Sequence, residues 1–196
     1  MKLEFFFDYG SPYSYLADVQ LAAFVERTGA ELVYRPMLLG GVFKATGNSS
    51  PAFEPCEPKR SYGGREMARW IAHLGVPFVF NPHFPINTIL LMRAAVAAQH
   101  AGVFESFHRA IYPAFWADGE NLGDAEVIAR VLGAAGVDAK PLLEATAAPE
   151  VKGELRATTE EAVGRGVFGA PSFFVGDELF FGQDRLMFVE AALAGA

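Results

Sequence analysis

The segment that most constrains the fold is a short apolar run followed by a serine-bounded turn and a helix at the start of the chain. Lys2 to Asp8 predicts a strand. Ser11 is a suitable N-cap and Pro12 a suitable first helical residue, and apolar residues then recur with a helical period as far as Arg27. Glu31 to Arg35 predicts a second strand. A strand, a helix and a strand in succession favour a parallel βαβ unit.

The end of the chain returns to the same mixed pattern. Glu154 to Arg165 predicts a helix, and Asp184 to Ala194 predicts another. Between them, Ser172 to Val175 and Leu179 to Phe181 predict two strands joined by the hairpin turn Gly176-Asp177. The two ends of the chain are therefore predicted to share one mixed sheet.

The middle of the chain has a different character. Residues Gly40 to Ser61 are rich in proline and glycine and predict a loop, and helical patterns without strands follow as far as Leu155. We predict an α/β protein in which residues 1–45 and 153–196 form one discontinuous domain and residues 46–152 form an all-helical insertion. The predicted helices of the insertion are Arg65–Leu74, Pro85–Ala101, Val103–Trp116, Ala125–Ala135 and Ala139–Thr146.

Composition excludes several classes of protein. Hydrophobic residues make up 52% of the 196 residues, so the chain is expected to fold rather than to be disordered. Its net charge of −7 argues against nucleic acid as a partner, and no apolar run predicts a membrane span or a secretory signal peptide. Cys56 is the only cysteine, which excludes an intramolecular disulfide and favours a reducing, cytoplasmic location. The four histidines lack metal-ligand spacing, so no metal site is predicted.

The turn between the first strand and helix holds Ser11-Pro12-Tyr13-Ser14, at the place where thioredoxin-type redox proteins carry Cys-x-x-Cys. Both cysteine positions are serine here. Pro171, just before a predicted strand, supplies the other half of such a site, and beside the Ser11 turn it is predicted to follow a cis peptide bond. A cis bond exposes the backbone of Ala170 to an extended peptide. The reactive thiol must then come with a ligand, for which glutathione is the obvious candidate.

Two interpretations of Ser11 remain open. Its hydroxyl can simply cap the helix by accepting a backbone N–H. Alternatively it can donate a hydrogen bond to a bound thiolate, which the free N–H groups and partial positive charge of a helix N-terminus also favour.

Two glycine-containing segments near the end of the chain also allow two interpretations. Gly182-Gln183-Asp184-Arg185 is either a turn with a helix cap or a site for the γ-glutamyl end of glutathione, whose ammonium Asp184 would bind. Gly164 to Gly169 matches G-x-G-x-x-G, but it ends a predicted helix instead of opening one, which argues against a dinucleotide site.

Taken together, these segments resemble the 2-hydroxychromene-2-carboxylate isomerases, which are related to the kappa-class glutathione transferases. The resemblance extends over nearly the whole chain, and the order and spacing of the segments make it specific. The segments that carry it are Phe5–Leu16, Gly47-Asn48, Pro58–Tyr62, Phe84–Thr88, Phe168–Pro171 and Phe181–Arg185.

The resemblance implies a thioredoxin-like fold with a large helical insertion, a homodimer and glutathione as cofactor. It implies that Ser11 holds the glutathione sulfur and that Asn87 lies in the substrate pocket. We also expect Lys59 to bind the carboxylate of a small aromatic substrate. The glutathione-binding residues implied are Ser11, Asn48, Lys59, Ala170, Pro171, Gln183 and Asp184.

The function predicted on this basis is the glutathione-dependent interconversion of 2-hydroxychromene-2-carboxylate and trans-o-hydroxybenzylidenepyruvate in aromatic catabolism. Two alternatives stay open: a kappa-type transferase that conjugates electrophiles, and a non-catalytic module that binds glutathione or peptides. A disulfide oxidoreductase is not expected, because the turn has no cysteine.

Overall fold

The structure, a computed structural model, describes residues 1–195 and contains one mixed four-stranded sheet in the order β2-β1-β3-β4. The first two strands are parallel, with a helix as crossover, whereas β1 pairs antiparallel with β3 and β3 antiparallel with β4. The predicted βαβ unit, the predicted hairpin and the single mixed sheet are confirmed. The strands are β1 (Lys2–Phe7), β2 (Glu31–Pro36), β3 (Ser172–Val175) and β4 (Glu178–Phe181).

Helices make up most of the rest of residues 1–195. The chain between β2 and β3 is helical and contributes no strand to the sheet within the described range. The predicted domain limit at residue 152 falls inside α8. None of the described helices is long and apolar enough to span a membrane. The helices are α1 (Pro12–Thr28), α2 (Leu39–Thr46), α3 (Glu57–Leu74), α4 (Ile89–His100), α5 (Phe104–Trp116), α6 (Ala125–Ala134), α7 (Ala139–Ala145), α8 (Pro149–Gly164) and α9 (Leu186–Gly195).

The loop predicted over Gly40 to Ser61 is wrong in part. The segment contains all but the first residue of α2 and the first turns of α3. Tertiary contacts stabilise α2: the Leu39 N–H donates to the carboxylate of Asp8 (2.9 Å). A methyl group added at Gly41 would lie only 3.2 Å from Thr159 of α8, so this glycine permits the two helices to approach closely. Gly41, which favours a loop in the sequence, therefore serves helix packing.

Both faces of the sheet are buried. Phe5 and Phe7 point to one face and stack at 5.3 Å between ring centroids, and Phe5 also stacks on Phe173 at 5.1 Å. Phe6, which alternates with them, packs on the opposite face against Phe174, at 5.5 Å. This explains the continuous apolar run Phe5–Phe7 at the end of β1.

The helical block is fastened to the end of β1 through Tyr9. The Trp116 side-chain N–H of α5 donates to the Tyr9 carbonyl (2.8 Å), and the Tyr9 hydroxyl lies 2.7 Å from Nδ1 of His108. Nε2 of His108 in turn lies 2.8 Å from Asp18 of α1. These buried bonds fix the backbone two residues before Ser11.

Candidate active site

Ser11 begins α1 and contacts the other half of the predicted site directly. Its hydroxyl accepts the Ser14 N–H (3.1 Å), which confirms the capping interpretation. The same hydroxyl donates to the carbonyl of Ala170 (3.1 Å). Ser11 is only 3% exposed, so access to its oxygen is confined to a narrow opening.

The Ala170–Pro171 peptide bond is cis, as predicted. The Pro171 carbonyl accepts the N–H of Gly182 (3.1 Å), which places the segment after β4 beside the segment before β3. Two parts of the chain that are far apart in sequence therefore meet here. Ser11 bonds to Ala170, and Gly182 bonds to Pro171.

Three polar groups at this junction have no hydrogen-bond partner within residues 1–195. The Tyr13 N–H is free because the first N–H groups of a helix have no acceptor within it, and the Ser11 hydroxyl accepts the Ser14 N–H instead. The Ala170 N–H is also free, although its carbonyl is bonded to Ser11. The Ser14 hydroxyl is fully buried and unpaired. Unpaired buried donors are uncommon and mark a place where a ligand can complete the hydrogen bonding.

Asn48 lies at the same junction. Its side-chain amide donates to the carbonyl of Phe168 (2.9 Å), two residues before Ala170. The residue is exposed, as a residue that contacts a ligand from the rim should be. The structure therefore brings Asn48 to the proline segment, as the resemblance implies.

Gln183 and Asp184 come directly after Gly182, whose N–H bonds to the Pro171 carbonyl. Gln183 is buried, and its carbonyl accepts the Gln20 amide of α1. Gly182 has φ +111°, and a Cβ at that position would lie 2.5 Å from the Asp184 carboxylate, so only glycine fits. Burial raises the pKa of the Tyr13 hydroxyl, and the negative charges of Glu66 and then Asp184 raise it further.

Asn87 is linked to the Ser11 turn indirectly, through hydrogen bonds to the buried carboxylate of Asp8. Its side chain accepts the Ile89 N–H at the start of α4 (3.0 Å) and is exposed. The next residue, Thr88, donates to Asp8 (3.0 Å), which also accepts the Gly10 N–H (2.9 Å).

No hydrogen bond or ion pair among residues 1–195 joins Lys59 to Ser11 or to the proline segment. Lys59 lies in the first turn of α3, and its ammonium bonds to Glu54 (2.5 Å) while the side chain is 73% exposed. That bond raises the pKa of Lys59. The predicted role of Lys59 therefore stays a prediction.

The model of the DSBA-like thioredoxin domain family matches residues 2–194. The chain belongs to this family. A 2-hydroxychromene-2-carboxylate isomerase from Sphingobium xenophagum is 36% identical over 191 residues, which are 97% of each chain. The human glutathione S-transferase kappa 1 is 29% identical, covering 94% of this chain and 87% of that protein.

A solved structure of a 2-hydroxychromene-2-carboxylate isomerase superposes on the DSBA-like chain with a TM-score of 0.83. It is 28% identical and covers all of this chain and 95% of the other. The predicted thioredoxin-like fold with a helical insertion and the predicted resemblance are confirmed. The relatives also support the prediction that the chain is an enzyme, in the group of these isomerases and transferases.

Sequence reasoning missed one central residue of this DSBA-like site, Asp8. Its carboxylate is 1% exposed and accepts the Gly10 N–H, the Leu39 N–H and the Thr88 hydroxyl. Burial raises the pKa of this carboxyl, although the three hydrogen bonds oppose that effect. A charged residue directly after the apolar run Phe5–Phe7 is the sequence signal that could have identified it.

An exposed aromatic pair beside the proline segment was also missed. The rings of Phe168 and Phe181 lie 4.4 Å apart, and each side chain is about 40% exposed. A Cβ at Gly169 would lie 2.8 Å from the Phe181 ring, so this glycine makes room for the pair. Together they offer an apolar surface next to Ala170.

Proposed function

We propose that this protein is a glutathione-dependent isomerase that interconverts 2-hydroxychromene-2-carboxylate and trans-o-hydroxybenzylidenepyruvate. The observation that carries the proposal is the direct bond from Ser11, in a turn without cysteine, to the carbonyl of Ala170 before the cis-proline. The 36% identity to a protein named for this isomerase supports the choice of reaction.

The free donors at the junction fit glutathione. The Tyr13 N–H and the Ser11 hydroxyl would hold the sulfur, and the Ala170 N–H would bind the peptide backbone of the ligand. Asn48, Gln183 and Asp184 would contact its two ends, as the resemblance implies. When bound, glutathione supplies a thiolate that adds to the conjugated substrate and is later eliminated.

Ser11 and α1 would keep that sulfur ionised. The partial positive charge of the α1 N-terminus favours a thiolate, and such positions lower thiol pKa values from ~8.5 to as little as ~3.5–7.5. In the structure the Ser11 hydroxyl donates to the Ala170 carbonyl. It would therefore have to rotate towards the sulfur when glutathione binds. The Ser14 N–H would still donate to the Ser11 oxygen. The hydroxyl hydrogen is then the one group of the Ser11 side chain that can donate to the sulfur.

The aromatic pair Phe168–Phe181 would form one wall of the substrate site. We infer this from the exposure of the pair and from its position, with Phe168 two residues before Ala170 and Phe181 directly before Gly182. Lys59 and Asn87 complete the proposal as the partner of the substrate carboxylate and as a pocket residue. Lys59 would have to leave Glu54 to play that part.

The decisive experiment combines calorimetry with a spectral assay. We expect glutathione to bind, and the chromene acid to isomerise only when glutathione is present and without consuming it. S-methylglutathione should bind without supporting turnover. A stable conjugate with 1-chloro-2,4-dinitrobenzene and no isomerisation would favour the transferase, which the kappa-class relative also supports. Binding without either activity would leave only the non-catalytic module, and no binding would refute both enzymes and any module that binds glutathione.

Phe181→Ala is expected to raise the KM for the chromene acid about tenfold, because one aromatic wall contributes roughly 1–2 kcal/mol of contact. The matched control is Phe188→Ala on α9, since Phe188 is an exposed phenylalanine, at 51%, that is not one of the proposed site residues. Steady-state kinetics on both variants tests the assignment. An equal change in the two, or none in Phe181→Ala, would remove the aromatic pair from the substrate site.

The resemblance also leads us to propose a homodimer and a cytoplasmic location, with residues 46–152 as an inserted domain. The single cysteine is compatible with a reducing compartment. Light scattering on the purified protein tests the dimer, because a mass of one chain at working concentration would contradict it.

A further inference from the structure

A groove away from the Ser11 turn lies where α2, α4 and α8 converge. It has a volume of about 400 Å³, which lies within the range of roughly 300–1,000 Å³ that is typical of small-molecule sites. None of the residues predicted for glutathione or substrate lines it. One face of each helix contributes, at positions three, four or seven residues apart.

The body of the groove is apolar and open to solvent. Gly41 keeps α2 close to Thr159 of α8 at one end, and the exposed Ala45 lies on the rim. A small residue at the rim leaves room for a ligand. The apolar lining comes from Leu38, Ala45, Ile89, Leu155 and Val163.

Three cations line the same groove, Arg93 of α4 and Lys152 and Arg156 of α8. Arg156 bonds to Glu160, the one acidic residue in the lining. Arg93 is half-buried, and neither it nor Lys152 has an ion pair or side-chain hydrogen bond with any residue of 1–195. In a chain with a net charge of −7, this is a local surplus of positive charge against an apolar floor.

We propose that this groove binds a small amphipathic anion, with an apolar aromatic body and one carboxylate or sulfonate. The aromatic body would lie against the apolar lining, and the anion would pair with the guanidinium of Arg93. The proposal goes beyond the proposed reaction and does not depend on it. A second copy of the chain is a poorer occupant, because a twofold contact through this groove would bring its unpaired cations close to each other.

The groove and the Ser11 turn are separate but adjacent. Leu38 and Ile89 line the groove, and their chain neighbours Leu39 and Thr88 both bond to Asp8. The buried Asp8 carboxylate therefore stands between the two places. A ligand in the groove is expected to leave glutathione binding possible.

The test uses two fluorescent probes that differ in one group. 8-Anilinonaphthalene-1-sulfonate carries the anion, and N-phenyl-1-naphthylamine has the same aromatic body without it. We expect Arg93→Met to raise the Kd of the sulfonate about tenfold, because a charge-assisted contact is lost while the side-chain volume is kept. The neutral probe should bind wild type and Arg93→Met alike.

Two controls fix the location. Arg109→Met removes an exposed arginine that pairs with Glu105 on α5 and does not line the groove, so it should leave both probes unchanged. Ala45→Trp should fill the groove from its rim and weaken both probes at least tenfold. Circular dichroism on each variant confirms that it is folded.

Three results would overturn the proposal. The first is an unchanged sulfonate Kd in folded Arg93→Met. The second is complete displacement of the sulfonate by glutathione, which would place the probe at the Ser11 turn. The third is light scattering that shows a dimer broken by Ala45→Trp, which would assign the groove to a second copy. If glutathione fails to bind at all, the proposed reaction fails, but the Arg93→Met comparison still decides this inference.

Discussion

Ser11→Ala is expected to raise the pKa of the bound glutathione thiol by about 1 to 2 and to lower turnover roughly ten- to a hundredfold at neutral pH. The reason is the loss of a charge-assisted hydrogen bond to the thiolate, which is worth about 1.5–3 kcal/mol. The ultraviolet absorbance of the thiolate, followed against pH in the complex, measures the pKa directly.

Asp124→Ala is the matched control, because Asp124 caps α6 in the same way, by accepting the Glu126 N–H, and is not one of the proposed site residues. Ser11 is also the N-cap of α1, so its loss should lower the free energy of unfolding by about 1 kcal/mol. Thermal unfolding separates that effect from the chemistry. A folded Ser11→Ala variant with the wild-type titration curve and full rate would remove Ser11 from catalysis.

Asp8→Ala is expected to lower the free energy of unfolding by about 3–5 kcal/mol. Three donors around the buried carboxylate would lose their acceptor: the N–H groups of Gly10 and Leu39 and the hydroxyl of Thr88. These belong to the Ser11 turn, α2 and the segment before α4, so one carboxylate joins three parts of the fold. Urea unfolding measures the loss.

Thr88→Val is the graded control for Asp8, since it removes one of the three bonds and keeps the shape, with an expected loss of about 1 kcal/mol. If Asp8→Ala cost no more than Thr88→Val, the carboxylate would not be the junction that its contacts indicate.

The same carboxyl adds a pH dependence, which Asp8→Asn isolates because asparagine does not titrate. Burial raises the pKa of folded Asp8 above its ordinary value of 3.8. Folding therefore favours the protonated form, and the stability this contributes is full below the ordinary pKa and is lost as pH rises through the raised one. The difference in unfolding free energy between wild type and Asp8→Asn should shrink as pH rises from about 4 towards neutrality. A difference that grew over that range would show that the hydrogen bonds outweigh burial.

The strands and the Ser11 turn could be predicted because their signals are local. The continuous apolar run of β1, the cap at Ser11 and the Gly176-Asp177 turn each specify their own conformation. Once β1, α1 and β2 are assigned, few arrangements of the sheet remain.

The second helix and the start of the third could not be predicted in this way. Gly40, Gly41, Gly63 and Gly64 have low helix propensity, and Pro58 usually marks an end. In the structure Pro58 occupies the first turn of α3, where a missing N–H costs nothing, and α2 relies on Asp8. Distant contacts override propensity there.

In the candidate site, too, the residues marked by local motifs were predicted and those that depend on distant contacts were not. Ser11 and Pro171 were identified from local motifs, and the structure joins Ser11 by a hydrogen bond to Ala170, the residue before Pro171. Asp8 was missed because nothing in its neighbourhood reveals that Leu39 and Thr88 reach it. The groove of α2, α4 and α8 could not be predicted for a related reason. Its cations come from segments about 60 residues apart, and α2 itself was not predicted.

Cys56 lies exposed at the N-cap of α3 and is the one thiol of the whole chain. A maleimide dye would therefore attach at a single known position, without mutagenesis and without touching the serine turn. Its emission would report on the Pro51–Lys59 region, where Lys59 and Glu54 pair. The native protein thus carries its own spectroscopic handle for following whether that ion pair opens when ligands arrive.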